Sequence, residues 1–342
     1  MNKRIEWIDI AKGISIILVV LGHTSFTGPI ALWLKSFRMP FFFFVSGILF
    51  KNSKYPHIKD FLDRRTSTII RPYIIFSLIV FIWDKLIGDP DSFTYVQLLT
   101  GWVSYALWFI PVLMMTQILY YYICKLCNDK TVYILASLIA FAITGYFLYK
   151  YNVHFYYKIE TVCTTVFFYG ISNLNKSKLV SFMEKERNAR LIIILLSSFI
   201  VSFVSSIFNT RSLDLCFNII GDPFFSYTAA VFGTLFMLCF SKLITTINLS
   251  LLVKLRDLIS YIGKNSYVVL AFHQIIGGTL ILFFSHFGLP SSLSSILRHT
   301  IMWSLLLLMI YLINRYVPWL LGKNKLENTS KVVQSSKISD PQ

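Results

Sequence analysis

Charged side chains are scarce in this sequence: only 14% of its 342 residues are Asp, Glu, Lys or Arg, whereas 56% are hydrophobic. This composition excludes an ordinary soluble protein, because a single soluble core of this length could not bury so much apolar surface. The sequence also lacks a soluble domain, an internal repeat and a glycine-rich phosphate loop. We therefore predict a polytopic membrane protein.

Cysteine is rare as well, with five copies in the chain. Cys124 and Cys127 form a lone CxxC, but neither a second pair nor a neighbouring histidine completes a set of zinc ligands. We interpret the cysteines as small buried residues. We predict no metal site and no bound cofactor.

Long apolar segments are what the sequence does contain, and they predict an all-α bundle of about ten transmembrane helices. The windows are 12–27, 31–50, 70–87, 106–124, 131–149, 160–174, 191–208, 224–241, 265–285 and 297–320. The first should stay as a span, because Glu6 and Asp9 interrupt its basic start and no cleavage site of small residues follows. We expect residues 1–322 to form one integral-membrane domain and residues 323–342 a disordered polar tail.

Basic residues alternate between the loops of this arrangement. With the amino terminus inside, 25 of the 32 Lys and Arg residues fall in cytoplasmic segments, as the positive-inside rule requires. Both termini are therefore predicted to be cytoplasmic. The net charge of +16 is mostly this orientation signal, with a secondary role at anionic lipid headgroups. Nucleic-acid binding is disfavoured, since the basic residues are spread over every inner loop.

A histidine, His23, lies about halfway along the apolar segment 14–26, and Lys12 lies two residues before that segment begins. Eleven residues return to nearly the same helix face, roughly 16 Å deeper. An ionisable group at that depth indicates a functional site. The alternative is a histidine that a neighbouring helix satisfies.

A second histidine, His273, follows the inner-side Lys264 by nine residues. Ser266 lies seven residues before His273, so both occupy one helix face and predict a polar strip along an interior cavity. A structural hydrogen bond between the two histidines is the alternative explanation.

Four arginines also stand out. Arg38 falls several residues inside the second predicted span, where it faces protein or water, or else snorkels to the outer headgroups. Arg64, Arg65 and Arg71 precede the third span in the most basic inner loop. Planar guanidinium groups suit phosphate recognition, although the orientation signal alone also explains them.

These residues resemble the acyltransferase-3 family of integral-membrane acyltransferases, in particular its fucose 4-O-acetylase and sugar O-acetyltransferase branch. The most specific segments are Arg4 to Gly13 leading to Gly22-His23, Met39-Pro40 through Ser46-Gly47, and Arg71-Pro72-Tyr73. Weaker support comes from Leu107-Trp108-Phe109 and from Ile262 to Gln274.

The resemblance implies transfer of an acyl group, usually acetyl from cytosolic acetyl-CoA, to a sugar hydroxyl of a surface glycan or its lipid-linked precursor. It also implies that His23 is catalytic. Many members have arginine where this sequence has Lys12. A lysine keeps the positive charge but lacks the two parallel N–H donors of arginine. A role of this position in binding the donor is therefore in question.

Acyl transfer to a hydroxyl needs a base, and a neutral imidazole suits that role. His23 is expected to act either as this base or as a covalent acyl acceptor. Asp9 is expected to pair with Lys12 or with an arginine of the inner loop. His273, Asn265 and Ser266 are candidates to orient His23 or the acceptor. Trp108 would stack on a sugar or anchor the helix at the membrane interface.

The resulting hypothesis is an O-acyltransferase of the bacterial cytoplasmic membrane. Its predicted partners are the lipid bilayer, acyl-CoA bound beside Lys12, Arg64, Arg65 and Arg71, and a glycan or lipid-linked sugar acceptor. The main alternative is a transporter or flippase for a lipid-linked sugar with a histidine proton relay. Few carboxylates within the spans and no detectable paired halves argue against it. A membrane sensor or scaffold without catalysis is a third possibility, which only Lys12 favours.

Overall fold

The computed structural model describes residues 4–23, 27–87, 95–96, 105–287 and 290–323. Within these ranges the chain is helical and contains no β-strand beyond one isolated bridge between Asp214 and Ile219. The predicted all-α class is therefore confirmed. The helices are α1 Glu6–Leu21, α2 Gly28–Leu49, α3 Ile58–Arg65, α4 Arg71–Ile87, α5 Phe109–Leu126, α6 Thr131–Lys150, α7 Ile159–Leu174, α8 Lys176–Lys185, α9 Asn188–Phe208, α10 Pro223–Ile244, α11 Ser250–Lys264, α12 Ser266–Ser285 and α13 Ser291–Tyr316.

Eight helical segments in the described part of the chain are long and apolar enough to cross a membrane. They are Gly28–Leu49, Ile58–Ile87, Ala106–Leu126, Thr131–Lys150, Asn188–Phe208, Pro223–Ile244, Ser266–Ser285 and Ser291–Tyr316. The protein is thus a multi-pass membrane protein. The cytoplasmic location of both termini stays a prediction, and most of the predicted tail, 324–342, lies outside the described residues.

The other two predicted spans coincide with α1 and α7, which have 16 residues each. A helix of that length is about 24 Å long, shorter than a hydrocarbon core of about 30 Å. Ten residues of α1 and eleven of α7 are buried by other parts of the protein. Because protein rather than lipid surrounds them, these helices do not have to match the thickness of the bilayer.

The chain separates into two compact units, and the first consists of Met1–Lys54 and Phe93–Leu270. In this unit α7 packs against α2, α5 and α6, while α1 packs against α2, α10 and α11. Glycines allow the closest contacts. A side chain at Gly47 of α2 would overlap the Tyr169 carbonyl of α7, and one at Gly263 of α11 would overlap the Asp9 carbonyl of α1.

The second unit consists of Tyr55–Ser92 and Ala271–Gln342. It contains α3, α4, most of α12 and α13. Between α3 and α4 the helix widens into a π-helical turn, Thr66–Ile70, and the 3₁₀ turn Pro318–Leu321 packs on it. Phe272 of α12 packs edge-on against Phe76 of α4, with ring centroids 5.0 Å apart.

Candidate active site

His23 lies just beyond the end of α1, and the prediction that it sits halfway along a transmembrane helix is wrong. The helix begins at Glu6 and ends at Leu21, about six residues earlier than the predicted window. Trp7, Ile8 and Ile10 are buried in the first unit, so the first turn is held by packing that an apolar window starting at Lys12 does not count. His23 is exposed in the turn between α1 and α2, where its backbone N–H donates to the Val20 carbonyl at 3.2 Å.

Arg38 lies near the middle of α2 and reaches across to the same end of α1. Its Nη1 donates to the Leu18 carbonyl at 3.3 Å, and the Ser15 hydroxyl donates to the Arg38 carbonyl, also at 3.3 Å. Gly22 makes room for the guanidinium, because a Cβ there would overlap Nη1 and lie 2.6 Å from Cζ. Of the two predicted alternatives, the structure therefore shows the protein-facing arginine.

An ion pair lies one turn earlier on α2. The Lys35 ammonium is 2.9 Å from Oδ2 of Asp214, in the segment between α9 and α10. The other carboxylate oxygen, Oδ1, accepts the Cys216 backbone N–H at 2.9 Å. Arg38, Asp214 and Lys35 are, in that order, the charged groups that act most strongly on His23. The end of the α1–α2 hairpin thus combines an imidazole, two cations and one carboxylate.

Buried hydrogen bonds hold the segment that carries Asp214. The Lys158 ammonium donates to the Cys216 carbonyl at 2.7 Å, and Thr161 donates to the Leu215 carbonyl at 3.1 Å. Asn218 bridges two helices, since its Oδ1 accepts from Thr164 of α7 and its Nδ2 donates to the Gly145 carbonyl of α6. Burial also raises the pKa of the Cys216 thiol to about 11. The carboxylate is therefore positioned by a folded segment rather than by a free loop.

Sequence reasoning missed Asp214 and Lys158. Asp214 follows Lys35 by 179 positions, and no local spacing connects them. The only available signal was that Asp214 and Lys158 lie between apolar windows on the predicted outer side, where basic residues are few.

The other end of α1 carries Lys12 and Asp9. The Asp9 carboxylate pairs with Arg4, at 2.6 Å from Oδ2 to Nε, whereas the prediction named Lys12 or an arginine of the inner loop as its partner. Lys12 is half-buried, and Asp9 and Arg4 are the charged groups that act on it. Glu6 pairs with Arg256 of α11 at 3.4 Å.

Asn265 and Ser266 lie at the junction of α11 and α12. Gly263, two residues before Asn265, contacts the Asp9 carbonyl, whereas His23 is fourteen residues further along α1, about 21 Å away. The Asn265 amide donates to the Tyr261 carbonyl of its own helix at 2.9 Å. The structure does not bring Asn265 or Ser266 together with His23.

Trp108 ends the 3₁₀ turn before α5 and is only 5% exposed. Its neighbour Phe109 packs against Phe43 of α2, with ring centroids 4.8 Å apart. An interfacial anchor would present its ring to the surface, and stacking on a sugar would need an accessible ring face, so the burial of Trp108 favours neither predicted role.

The remaining predicted residues belong to the second unit. Arg64 and Arg71 are exposed on either side of the π-helical turn, and π turns occur frequently at functional sites. The Arg65 guanidinium lies 5.3 Å from the centre of the Phe61 ring. His273 of α12 is 2% exposed. Among the residues described, no group of three His, Cys, Asp or Glu side chains is placed to hold a metal ion.

The fold and this site define a multi-pass helical membrane protein with a histidine and basic side chains at one end of a buried helix hairpin. A family profile described as an acyltransferase domain matches residues 5–322, nearly the whole chain. The chain belongs to this acyltransferase-3 family. No curated protein and no solved structure matches it. Membership of the fucose 4-O-acetylase branch stays a prediction.

Proposed function

We propose that the protein is an O-acyltransferase of the bacterial cytoplasmic membrane. It would move an acyl group, acetyl in the first instance, from acyl-CoA to a sugar hydroxyl of a surface polysaccharide or lipid-linked glycan precursor. The observation that carries the proposal is the exposed imidazole of His23 beside Arg38 at the end of the α1–α2 hairpin. Only a neutral imidazole can accept a proton, and a neighbouring cation favours this neutral form before the reaction begins.

In the simpler mechanism His23 is a general base. The acceptor hydroxyl oxygen attacks the thioester carbonyl while the imidazole takes the hydroxyl proton. The C–S bond then breaks, and the CoA thiolate takes that proton from the imidazolium. The imidazole of His23 is neutral again at the end of the cycle.

The alternative mechanism has a covalent intermediate. The imidazole nitrogen attacks the thioester carbonyl, and CoA leaves with the ring proton. The acceptor hydroxyl then takes the acyl group from the acyl-imidazole and returns its proton to the ring. The two mechanisms differ in whether label from acyl-CoA stays on the protein when no acceptor is present.

The donor would approach the opposite end of α1. Lys12 is eleven residues from His23, about 16 Å along the helix, so phosphate groups held at Lys12 would leave the pantetheine arm to follow α1. No hydrogen bond or ion pair engages the Lys12 ammonium within the described ranges. In the second unit, Arg64, Arg65 and Arg71 remain candidates for donor phosphates, and His273 a candidate catalytic residue. Each is tested by its own substitution.

The test uses membranes that contain equal amounts of wild type, His23→Ala or the control His286→Ala, incubated with radiolabelled acetyl-CoA. His286 is an exposed histidine at the end of α12. Its ring bonds to its own helix, with Nδ1 2.8 Å from the Leu282 carbonyl. Alkali-labile label in glycan or glycolipid should appear with wild type and His286→Ala. It should fall about 100- to 10,000-fold with His23→Ala.

The other outcomes separate the parts of the proposal. Undiminished transfer by His23→Ala would show that His23 takes no part in the chemistry, while the assignment as an acyltransferase would stand. Absence of label in every sample, with the host glycan present, would contradict acetyl transfer and favour another acyl group or the transporter alternative. Label retained on denatured wild-type protein but not on His23→Ala would select the covalent mechanism.

A further inference from the structure

The α2 residues Lys35 and Arg38 differ in how their charges are compensated. They are three positions apart and therefore share a helix face. Lys35 has an acidic partner, Asp214, at 2.9 Å. Arg38 has no carboxylate within ion-pair distance in the described part of the chain, and its one side-chain hydrogen bond there goes to the Leu18 carbonyl at 3.3 Å. The pair of cations and Asp214 together leave one net positive charge, carried by Arg38.

A guanidinium has five N–H donors in a planar fork that matches a carboxylate or phosphate. A single carbonyl acceptor at one nitrogen uses little of that capacity. Asp214 acts on Arg38 only from beyond ion-pair distance. A partly buried cation with no carboxylate in contact is unfavourable, so an anion beside Arg38 would be stabilised. Because Arg38 is the charged group that acts most strongly on His23, such an anion would bind close to the reacting imidazole.

We infer that Arg38 binds an anionic group of the acceptor, a carboxylate or a phosphate close to the hydroxyl that is acylated. Only the acylation of this acceptor rests on the proposed function, whereas the anion site follows from the contacts of Arg38. The carboxylate would come from a sugar acid and the phosphate from a sugar phosphate. Asp214 limits the site, since it neutralises Lys35 and repels a second negative charge.

Gly22 offers a way to move the guanidinium without removing its charge. A Cβ at this position meets the flexible end of the Arg38 side chain and lies 3.0 Å from the Leu18 carbonyl. Gly22→Ala should therefore displace the fork while the helices keep their packing. Loss of anion binding in this variant would show that binding depends on the position of the Arg38 guanidinium, because the net charge of the protein is unchanged.

The experiment measures binding of three soluble probes to the full-length chain in nanodiscs of neutral lipid, without acyl-CoA. Methyl β-D-glucuronide carries a carboxylate, methyl β-D-glucoside is its neutral counterpart, and glucose 1-phosphate carries a phosphate. We expect at least one anionic probe to bind about tenfold or more tightly than the glucoside, equivalent to about 1.4 kcal/mol. Whichever anionic probe binds better identifies the source of the anion.

Variants decide whether Arg38 is responsible. Arg38→Gln and Gly22→Ala should abolish the preference, whereas the control Arg298→Gln, an arginine of α13 that donates to its own helix at Ser294, should keep it. Asp214→Asn should strengthen the preference several-fold, because it frees Lys35 and its Oδ1 can still accept the Cys216 N–H. Equal binding of all three probes, or a preference that survives Arg38→Gln, would overturn the inference. Binding needs no acyl transfer, so a negative transfer assay with a positive binding result contradicts only the proposed function.

Discussion

The two ends of α1 use charged residues differently. At the Lys12 end both carboxylates are paired, Asp9 with the nearby Arg4 and Glu6 with Arg256 of a neighbouring helix, whereas Lys12 itself has no ion-pair partner among the described residues. At the His23 end the only carboxylate comes from a distant segment, and one arginine has no acidic partner in the described residues. Compensated charges fix a helix end, whereas an uncompensated charge beside a titratable side chain can bind a substrate group. The comparison therefore assigns the paired carboxylates to structure, and the two cations left unpaired in the described ranges, Lys12 and Arg38, to recognition of the donor and the acceptor.

The largest expected effect concerns the chemical step at the His23 end. His23→Ala should lower kcat about 100- to 10,000-fold, because proton transfer is lost, and should leave the apparent KM for acyl-CoA within about threefold. Steady-state transfer assays at varied acyl-CoA measure both constants. A raised KM with wild-type kcat would move His23 from chemistry to donor binding and would cancel the contrast between the two ends.

A smaller effect of the opposite kind is expected at Lys12. Lys12→Met removes a cation that would hold phosphate in the ground state and transition state alike, so KM for acyl-CoA should rise about tenfold with kcat nearly unchanged. Lys264→Met is the matched control, since Lys264 is exposed at the end of α11, which packs on α1. Equal responses of both lysines would indicate a general surface charge instead of a site.

Glycines sharpen the comparison through stability. Gly263→Ala drives a methyl group into the Asp9 carbonyl and to 2.7 Å from the Gly13 nitrogen, rigid backbone that cannot yield. Overpacking of this kind costs about 1–3 kcal/mol, so the Tm of the solubilised protein should fall. Gly22→Ala should leave Tm nearly unchanged and lower acyl transfer, because only the Arg38 side chain has to move.

Gly278 supplies the control for both glycine variants. A Cβ added there meets no atom within 4 Å, so Gly278→Ala should change neither Tm nor transfer. A larger loss of Tm with Gly22→Ala than with Gly263→Ala would show that the His23 end, too, is fixed by tight backbone packing.

Carboxylate removal should affect stability only slightly at the Lys12 end. The Arg4 side chain is 64% exposed, whereas that of Asp9 is 6% exposed. An ion pair whose cation stays in water is worth about 1 kcal/mol, and Asn keeps the shape and hydrogen-bonding capacity of the buried partner. Asp9→Asn should therefore retain transfer and lower Tm by a few degrees at most. A complete loss of transfer with normal protein levels would place Asp9 in the donor site.

The last prediction, which expects no change in transfer or in Tm, concerns the pH dependence of thiol reactivity in the segment that positions Asp214. Burial raises the pKa of the Cys216 thiol to about 11, Lys158 opposes the rise, and Asp214 adds to it. The reactive thiolate is therefore scarce near neutrality, and alkylation by maleimide should accelerate roughly tenfold per pH unit up to that pKa. A variant that keeps only Cys216 makes the rate measurable by mass spectrometry. Labelling that is already fast near neutrality and levels off near the ordinary thiol pKa of about 8.5 would mean that the segment is open rather than folded against α7.

The sequence predicted the helical class, the membrane environment and the family, because apolar window length and a chain of matching segments are visible without contacts. It did not predict where α1 ends. Hydropathy marks where a chain is apolar, whereas Trp7 and Ile8 are helical because other helices of the first unit bury them. Asp9 was predicted to pair with Lys12 or with an arginine of the inner loop, and the ion pair that the structure shows is with Arg4. Spacing alone cannot rank the cations that surround a carboxylate.

Sequence alone determined that this chain crosses a membrane many times and that His23 follows Lys12 by eleven residues. It also determined that the chain carries segments that resemble an acyltransferase family. The first two properties follow from composition and spacing, which are local, and the third follows from the resemblance of several segments to the family. Only the tertiary structure decided that Arg38 turns towards α1 through the space left by Gly22, and that Asp214 forms its ion pair with Lys35. Pairing in a low-dielectric interior depends on distances of a few ångströms between residues far apart in the chain, and such distances exist only once the helices have packed.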